Sequence, residues 1–274
     1  MLLYFAGYST DKDIYEVEGA ENFLESYLLF KNKDYKQYHI ERKLLGKRLF
    51  LDSGAFSAFT RGIQINIDEY ADFIKKNEQY ITTYATLDVI GDYKGTQRNT
   101  KYLESKGLHP LPTFHYGSPY EVLEQMVNEY EGGYIALGGL VPLSTNRKTM
   151  QAHLDKCFSI IKTRCKVHAF GVNGVWAWIR YPFYSADATS WLMGGKFRHA
   201  VVWNSKKMKM EQVTKRTKVL SKLSVLAYDG HYADINKHNA AEYVKAANFA
   251  TKLWEARGVK WEYPPIKEMN ILYK

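Results

Sequence analysis

Eight short apolar runs, at residues 2–8, 48–51, 81–89, 108–114, 133–140, 166–170, 183–187 and 200–203, alternate with stretches patterned as helix. Strands separated by helices pair in parallel, because a parallel connection needs a crossover long enough to hold a helix. Helical spacing is clearest over 67–80, where Ile67, Tyr70, Ala71, Phe73 and Ile74 share a face and Asn66 is the natural N-cap. Residues 92–106, 119–130 (with Pro119 near the first turn), 147–163 and 175–180 read the same way. Residues 11–47 read as helix and loop, and 210–256 as mostly helical with a break near Asp229-Gly230-His231. The expected fold is therefore α/β, a (β/α)8 TIM barrel forming a single domain over residues 1–274 with a helical region from about 210. A doubly wound open sheet is the competitor. No Gly-x-Gly-x-x-Gly follows the first run, which removes the usual dinucleotide reading, and no cofactor is expected.

The runs end in chemistry. The second closes as Phe50-Leu51-Asp52-Ser53-Gly54-Ala55-Phe56, an acid followed by a sharp turn, with Gly54 leaving room for something flat and Phe56 placed to cover it. Later runs end at Asp88, at His115, at Gly138-Gly139, at Phe170-Gly171 and at Asp187. In a barrel these ends meet at one mouth. Two carboxylates facing a substrate from opposite sides suit displacement at a sugar carbon, one as nucleophile and one handling the leaving group's proton. A third can accept hydrogen bonds from a guanine-type edge. Gly-Gly offers backbone N–H groups and space, and Phe56 and Phe170 could stack a base between them.

Formal net charge is +9, which favours a polyanionic partner, nucleic acid first. Lys206, Lys207, Lys209, Lys215, Arg216, Lys218 and Lys222 form a basic run after the eighth apolar stretch, read either as phosphate contacts or as a solvated helix face. The two cysteines, Cys157 and Cys165, read as reduced thiols, and without any Cys-x-x-Cys pair no cysteine-rich zinc site is expected. Asp229, His231 and His238 match no strong metal spacing and read as surface loop. Trp176 and Trp178 sit in a short helix and read as packing residues. Nothing approaches the length of a membrane span and the N-terminus lacks a basic leader, so a cytoplasmic protein without membrane contact is expected.

Taken in order, Asp52-Ser53-Gly54-Ala55-Phe56, Leu87-Asp88, Phe114-His115-Tyr116-Gly117, Leu137-Gly138-Gly139-Leu140, Phe170-Gly171-Val172 and Ser185-Ala186-Asp187 resemble the strand-end motifs of the tRNA-guanine transglycosylases. Each motif is short; together they span roughly residues 48–203. The resemblance implies a transferase that exchanges guanine in nucleic acid for a 7-deazaguanine base. Asp187 would be the nucleophile, Asp52 the general acid/base, and Asp88 the reader of the base edge. Gly139 would donate to the base carbonyl, with Gly138, Ser53, Phe56 and Phe170 around it. His115 stands where the family has Gln, and Phe170 where bacterial members have Met. The cysteine-rich zinc site of the tRNA enzymes is missing, as is the RNA-binding domain appended in archaeal members. The closest likeness is thus to the zinc-less phage and mobile-element branch acting on DNA, in the host cytoplasm. The implied partners are DNA (or tRNA) and free 7-deazaguanine, with a homodimer left open. Two further readings are carried: a hydrolytic glycosylase using the same acids with water as acceptor, and a non-catalytic binding subunit.

Overall fold

A computed structural model of the protein describes residues 1–7, 12–41, 46–172, 174–192, 199–213 and 232–263. The chain begins with β1 (Leu2–Ala6), β2 (Asn22–Ser26), α1 (Tyr27–Phe30), α2 (Tyr35–Glu41), β3 (Arg48–Asp52), α3 (Ala55–Thr60) and α4 (Ile67–Asn77). It continues through β4 (Thr83–Tyr84), α5 (Tyr93–Ser105), β5 (Thr113–His115), α6 (Tyr120–Glu129), β6 (Tyr134–Gly138) and α7 (Arg147–Ile161). β7 (Lys166–Ala169), α8 (Val175–Arg180), β8 (Ser185–Ala188), a hairpin of β9 (Val201–Asn204) and β10 (Lys209–Gln212), and α9 (Tyr232–Ala256) complete it.

Strands β1 to β8 form one parallel sheet in the order β4-β3-β2-β1-β8-β7-β6-β5. The sheet curls and carries helices outside it, giving a TIM-like α/β fold. Its two edge strands, consecutive in the chain, meet only at a single parallel bridge between Ala85 and Leu111. Leu111 N–H donates to the Tyr84 carbonyl at 2.8 Å, and Thr86 N–H to the Leu111 carbonyl at 3.2 Å. The expected closed barrel is thus not met as a continuous ladder. The cause is local: Leu111 lies between Pro110 and Pro112, neither of which has an N–H to donate.

Eight strands were expected and eight line the sheet, but they are not the same eight. Residues 22–26, expected within helix and loop, are β2, paired to both β1 and β3. Residues 200–203, expected as the last barrel strand, belong to the antiparallel β9–β10 hairpin instead. α9 holds that hairpin: Asn239 Oδ1 accepts from Val201 N–H at 2.9 Å, and Glu242 Oε2 from Trp203 N–H at 2.7 Å. Its second strand is residues 209–212, of which 210–212 fall in the stretch expected to be mostly helical.

Helix starts follow their caps. Asn66 Oδ1 accepts from Asp68 N–H at 2.8 Å, Asp92 from Gly95 N–H at 2.9 Å, and Asn146 from Thr149 N–H at 3.1 Å. Period-two alternation sorts the strand residues into two layers. Leu49, Leu51, Ile135, Leu137, Val167, Ala169, Ala186 and Ala188 pack in the main core with the helices. Tyr4, Phe50, Ala136 and Tyr184 cluster separately, with Leu24, Tyr134 and Phe170 against them, inside the curl of the sheet. On this parity Asp52, His115, Gly138, Phe170 and Asp187 all fall on the inner side. No helix among the described residues is long and apolar enough to cross a membrane.

Candidate active site

Asp52 is the last residue of β3, and the turn after it is built for its carboxylate. Gly54 N–H donates to Asp52 Oδ2 at 2.9 Å, and Gly54 takes a left-handed φ of 78°. A Cβ on Gly54 would lie 2.7 Å from both Ser26 Oγ and Leu28 Cβ, so the glycine is required twice over, by conformation and by space. Burial pushes Asp52 up from 3.8 to about 7, helped by the nearby charge of Asp88 and further by that of Asp187; the Gly54 and Ser53 amides pull the other way. A carboxyl that half-titrates near neutrality is suited to giving and taking a proton.

Asp88 and His115 form an ion pair at the ends of neighbouring segments, with His115 Nε2 3.1 Å from Asp88 Oδ2. Burial works against charge on His115, but the Asp88 carboxylate outweighs it and raises the imidazole above its ordinary value. Asp88 Oδ1 is buried and has no hydrogen-bond partner among the described residues, leaving one acceptor free for a ligand. Beside the pair, Gly138 is packed too closely for any side chain: a Cβ would stand 2.8 Å from Thr113 Cγ2 and 3.1 Å from His115 Cδ2. Gly139 follows with φ +69°, its own added Cβ 3.1 Å from the Tyr116 amide nitrogen.

Asp187 projects from β8. Its Oδ1 accepts from Gly171 N–H at 2.8 Å. Phe170, half-buried just before that glycine, packs 4.4 Å from the His168 ring and 5.5 Å from Phe50, forming a floor of aromatic rings. Phe56 is 50% exposed in the first turn of α3, an apolar ring in water with a covering role open to it. Ser53 is 1% exposed and its Oγ has no partner among the described residues, so it belongs to the turn's interior rather than to the mouth's surface.

The curl therefore brings both Asp88 and Asp187 within range of Asp52, with His115, Gly138, Gly139 and Phe170 on the same strand ends. Tyr134, His168 and Ser185, which the sequence reading did not single out, lie beneath Asp187. The available signal was parity: His168 stands two residues before Phe170, and Ser185 two before Asp187, so each shares its neighbour's face.

Other sequence-predicted residues fall elsewhere. Lys206 and Lys207 sit exposed in the turn of the β9–β10 hairpin and Lys209 at the start of β10. Lys207 Nζ is 3.0 Å and Lys209 Nζ 3.5 Å from Glu211 Oε1, so part of this positive charge is already answered. Lys215, Arg216, Lys218 and Lys222 lie outside the described residues, as do Asp229 and His231. His238 Nε2 is 2.9 Å from the Val201 carbonyl oxygen, a structural contact. Among the described residues no three His, Cys, Asp or Glu side chains gather as a metal would need. Trp178 is fully buried, its Nε1–H donating to the Val172 carbonyl at 2.9 Å, while Trp176 lies under Arg147 at 4.6 Å. A groove of about 560 Å³ between α5 and α6 lies away from the carboxylates, and its Arg98 and Lys101 are paired with Asp92, Glu104 and Glu129.

No protein-family model matches the chain, and no curated protein matches it.

Proposed function

We propose that the protein is a base-exchanging transglycosylase on a (β/α)8-type scaffold, replacing guanine in nucleic acid, DNA ahead of tRNA, with a 7-deazaguanine base. What supports this most is the raised proton affinity of Asp52 between Asp88 and Asp187, three carboxylates at one end of the sheet. The Asp187 carboxylate bonds to C1′ as the C1′–N9 bond breaks, and the departing guanine takes the proton held by Asp52. The incoming base gives its N9 proton back to Asp52 as its N9 bonds to C1′ and releases Asp187. Asp88 Oδ1 and the Gly139 amide read the base edge while Phe170 lies against its face. His115 beside Asp88 shapes the part of the pocket next to the edge-reading carboxylate. The target nucleotide must leave its stack first, because C1′ is closed to attack within a duplex.

The test is incorporation of labelled guanine into duplex DNA or tRNA. Label retained in neither substrate would sink the reading, and release of free guanine without incorporation would replace it with hydrolysis.

Nucleic-acid binding should weaken steeply as salt rises, because lysines that neutralise phosphates release counterions. Charge reversal at Lys206, Lys207 and Lys209 is expected to lower affinity for DNA of any sequence and flatten that salt dependence. Titrations by fluorescence anisotropy at several salt concentrations measure both, and unchanged affinity would return the hairpin turn to a plain solvated surface.

A further inference from the structure

Beneath Asp187 a chain of polar groups crosses three strands on the inner side of the sheet. The Tyr134 hydroxyl on β6 bonds to Ser185 Oγ on β8, and Ser185 Oγ lies 2.6 Å from His168 Nδ1 on β7. The other ring nitrogen, His168 Nε2, is buried without a hydrogen-bond partner among the described residues and stands 3.7 Å from Asp187 Oδ1. The ring has no freedom to turn elsewhere. Phe50 packs at 4.7 Å, Phe170 at 4.4 Å and Tyr4 at 6.0 Å, and the residue is 0% exposed. Burial lowers its proton affinity, so the ring is neutral and carries one N–H.

Which nitrogen carries that hydrogen follows from the neighbours. If Nδ1 carried it, the Nε2 lone pair would face the carboxylate oxygen, lone pair against anion, in a medium that screens poorly. If Nε2 carries it, Ser185 donates to Nδ1, Tyr134 donates to Ser185, and the Nε2–H dipole points at Asp187. Ser185 and Tyr134 then each have an acceptor, and the Nε2–H faces the Asp187 carboxylate across 3.7 Å.

We propose that His168 is a positioning residue for Asp187, held as the Nε2–H tautomer by Ser185 and Tyr134 so that it steadies Oδ1 and leaves Oδ2 to react. Gly171 N–H and His168 Nε2–H then flank the same oxygen, which fixes the carboxylate's rotation about its Cβ–Cγ bond. The part played in base exchange rests on the reaction proposed above; the tautomer does not.

Protein labelled with 15N at histidine, read by long-range 1H–15N correlation, tests the tautomer directly, with His168→Gln assigning the signal. His168 should appear neutral and Nε2-protonated in the wild type. Ser185→Ala and, separately, Asp187→Ala should each turn it toward a mixture of tautomers. In base exchange, Ser185→Ala and His168→Phe should each lower kcat by up to about 10-fold, the scale of one lost neutral polar contact, with KM little changed. His168→Gln, whose amide can donate, should recover part of the loss. An Nδ1-protonated His168 in the wild type, or a tautomer indifferent to Asp187→Ala, would overturn the proposal. The expected tautomer in a protein that exchanges no base would leave the positioning role standing and remove the reaction instead.

Discussion

Asp187→Asn is expected to reduce base exchange by several orders of magnitude, the scale on which loss of a nucleophile acts. The amide keeps the shape of the carboxylate and can still accept the 2.8 Å bond from Gly171 N–H, so the strand end and the floor of Phe170 and Phe50 stay in place. What goes is the anion proposed to form the ester-like bond to C1′. Binding of DNA should change little, because the charge removed is negative and sits inside the mouth. Denaturing gels of enzyme with substrate, run with and without free base, separate the outcomes. Wild type should show a covalent protein–nucleic acid species that free base discharges, and the variant should show none. Exchange by Asp187→Asn at near wild-type rate would remove Asp187 from the reaction and with it the transglycosylase assignment.

Asp52→Asn should give the second largest effect, and it has a signature of its own. Its carboxyl holds a proton up to about pH 7, chiefly because it is buried and then because Asp88 and Asp187 crowd it with like charge. Loss of this acid/base is expected to cost about 10²–10⁴-fold in turnover, while Asp187 can still attack, so some trapped adduct persists. Stability moves in the opposite direction. The folded state binds this proton more tightly than the unfolded chain, whose carboxyl titrates at 3.8, so Asp52 makes folding less favourable as pH rises from about 4 to about 7. Above pH 7 the ion is held at a cost, and Asn removes it. Thermal melts should therefore find Asp52→Asn more stable than wild type at pH 8 and equal to it near pH 4. A variant that is inactive but no more stable at pH 8 would show that Asp52 is not held as a strained acid.

Much of this site was legible because strand ends and parity are local properties. Asp52-Ser53-Gly54 announces a turn that returns an amide to its own acid, and the turn is there. Inner and outer faces follow from a period of two, which needs no tertiary information. β2 was not legible because Glu25, a charged residue in a five-residue strand, breaks the apolar signal. Its charge is accommodated only by residues elsewhere in the chain: His39 Nε2 stands 3.3 Å from Glu25 Oε2 and the Tyr35 hydroxyl donates to the same oxygen. Residues 200–203 misled for the converse reason. An apolar run states that a strand is buried, not which sheet buries it, and here α9 supplies the cover through Asn239, Glu242 and Phe249. His168 was silent because a lone histidine in an apolar strand is usually packing, and its partners lie 17 and more residues away.

The prolines around Leu111 have an effect that reaches beyond hydrogen-bond geometry. They leave the curled sheet with a seam between β4 and β5, stitched by one bridge, and the two residues that grip each other across the top of that seam are Asp88 and His115. If Asp88 reads a base edge as proposed, recognition and closure of the sheet hang on the same hook. On the reading proposed above, a base taken up by the free Oδ1 of Asp88 adds a further contact beside the clasp while Oδ2 keeps its hold on His115. Selectivity in such a site would then lie as much in how well a ligand braces the seam as in how well it fills the pocket.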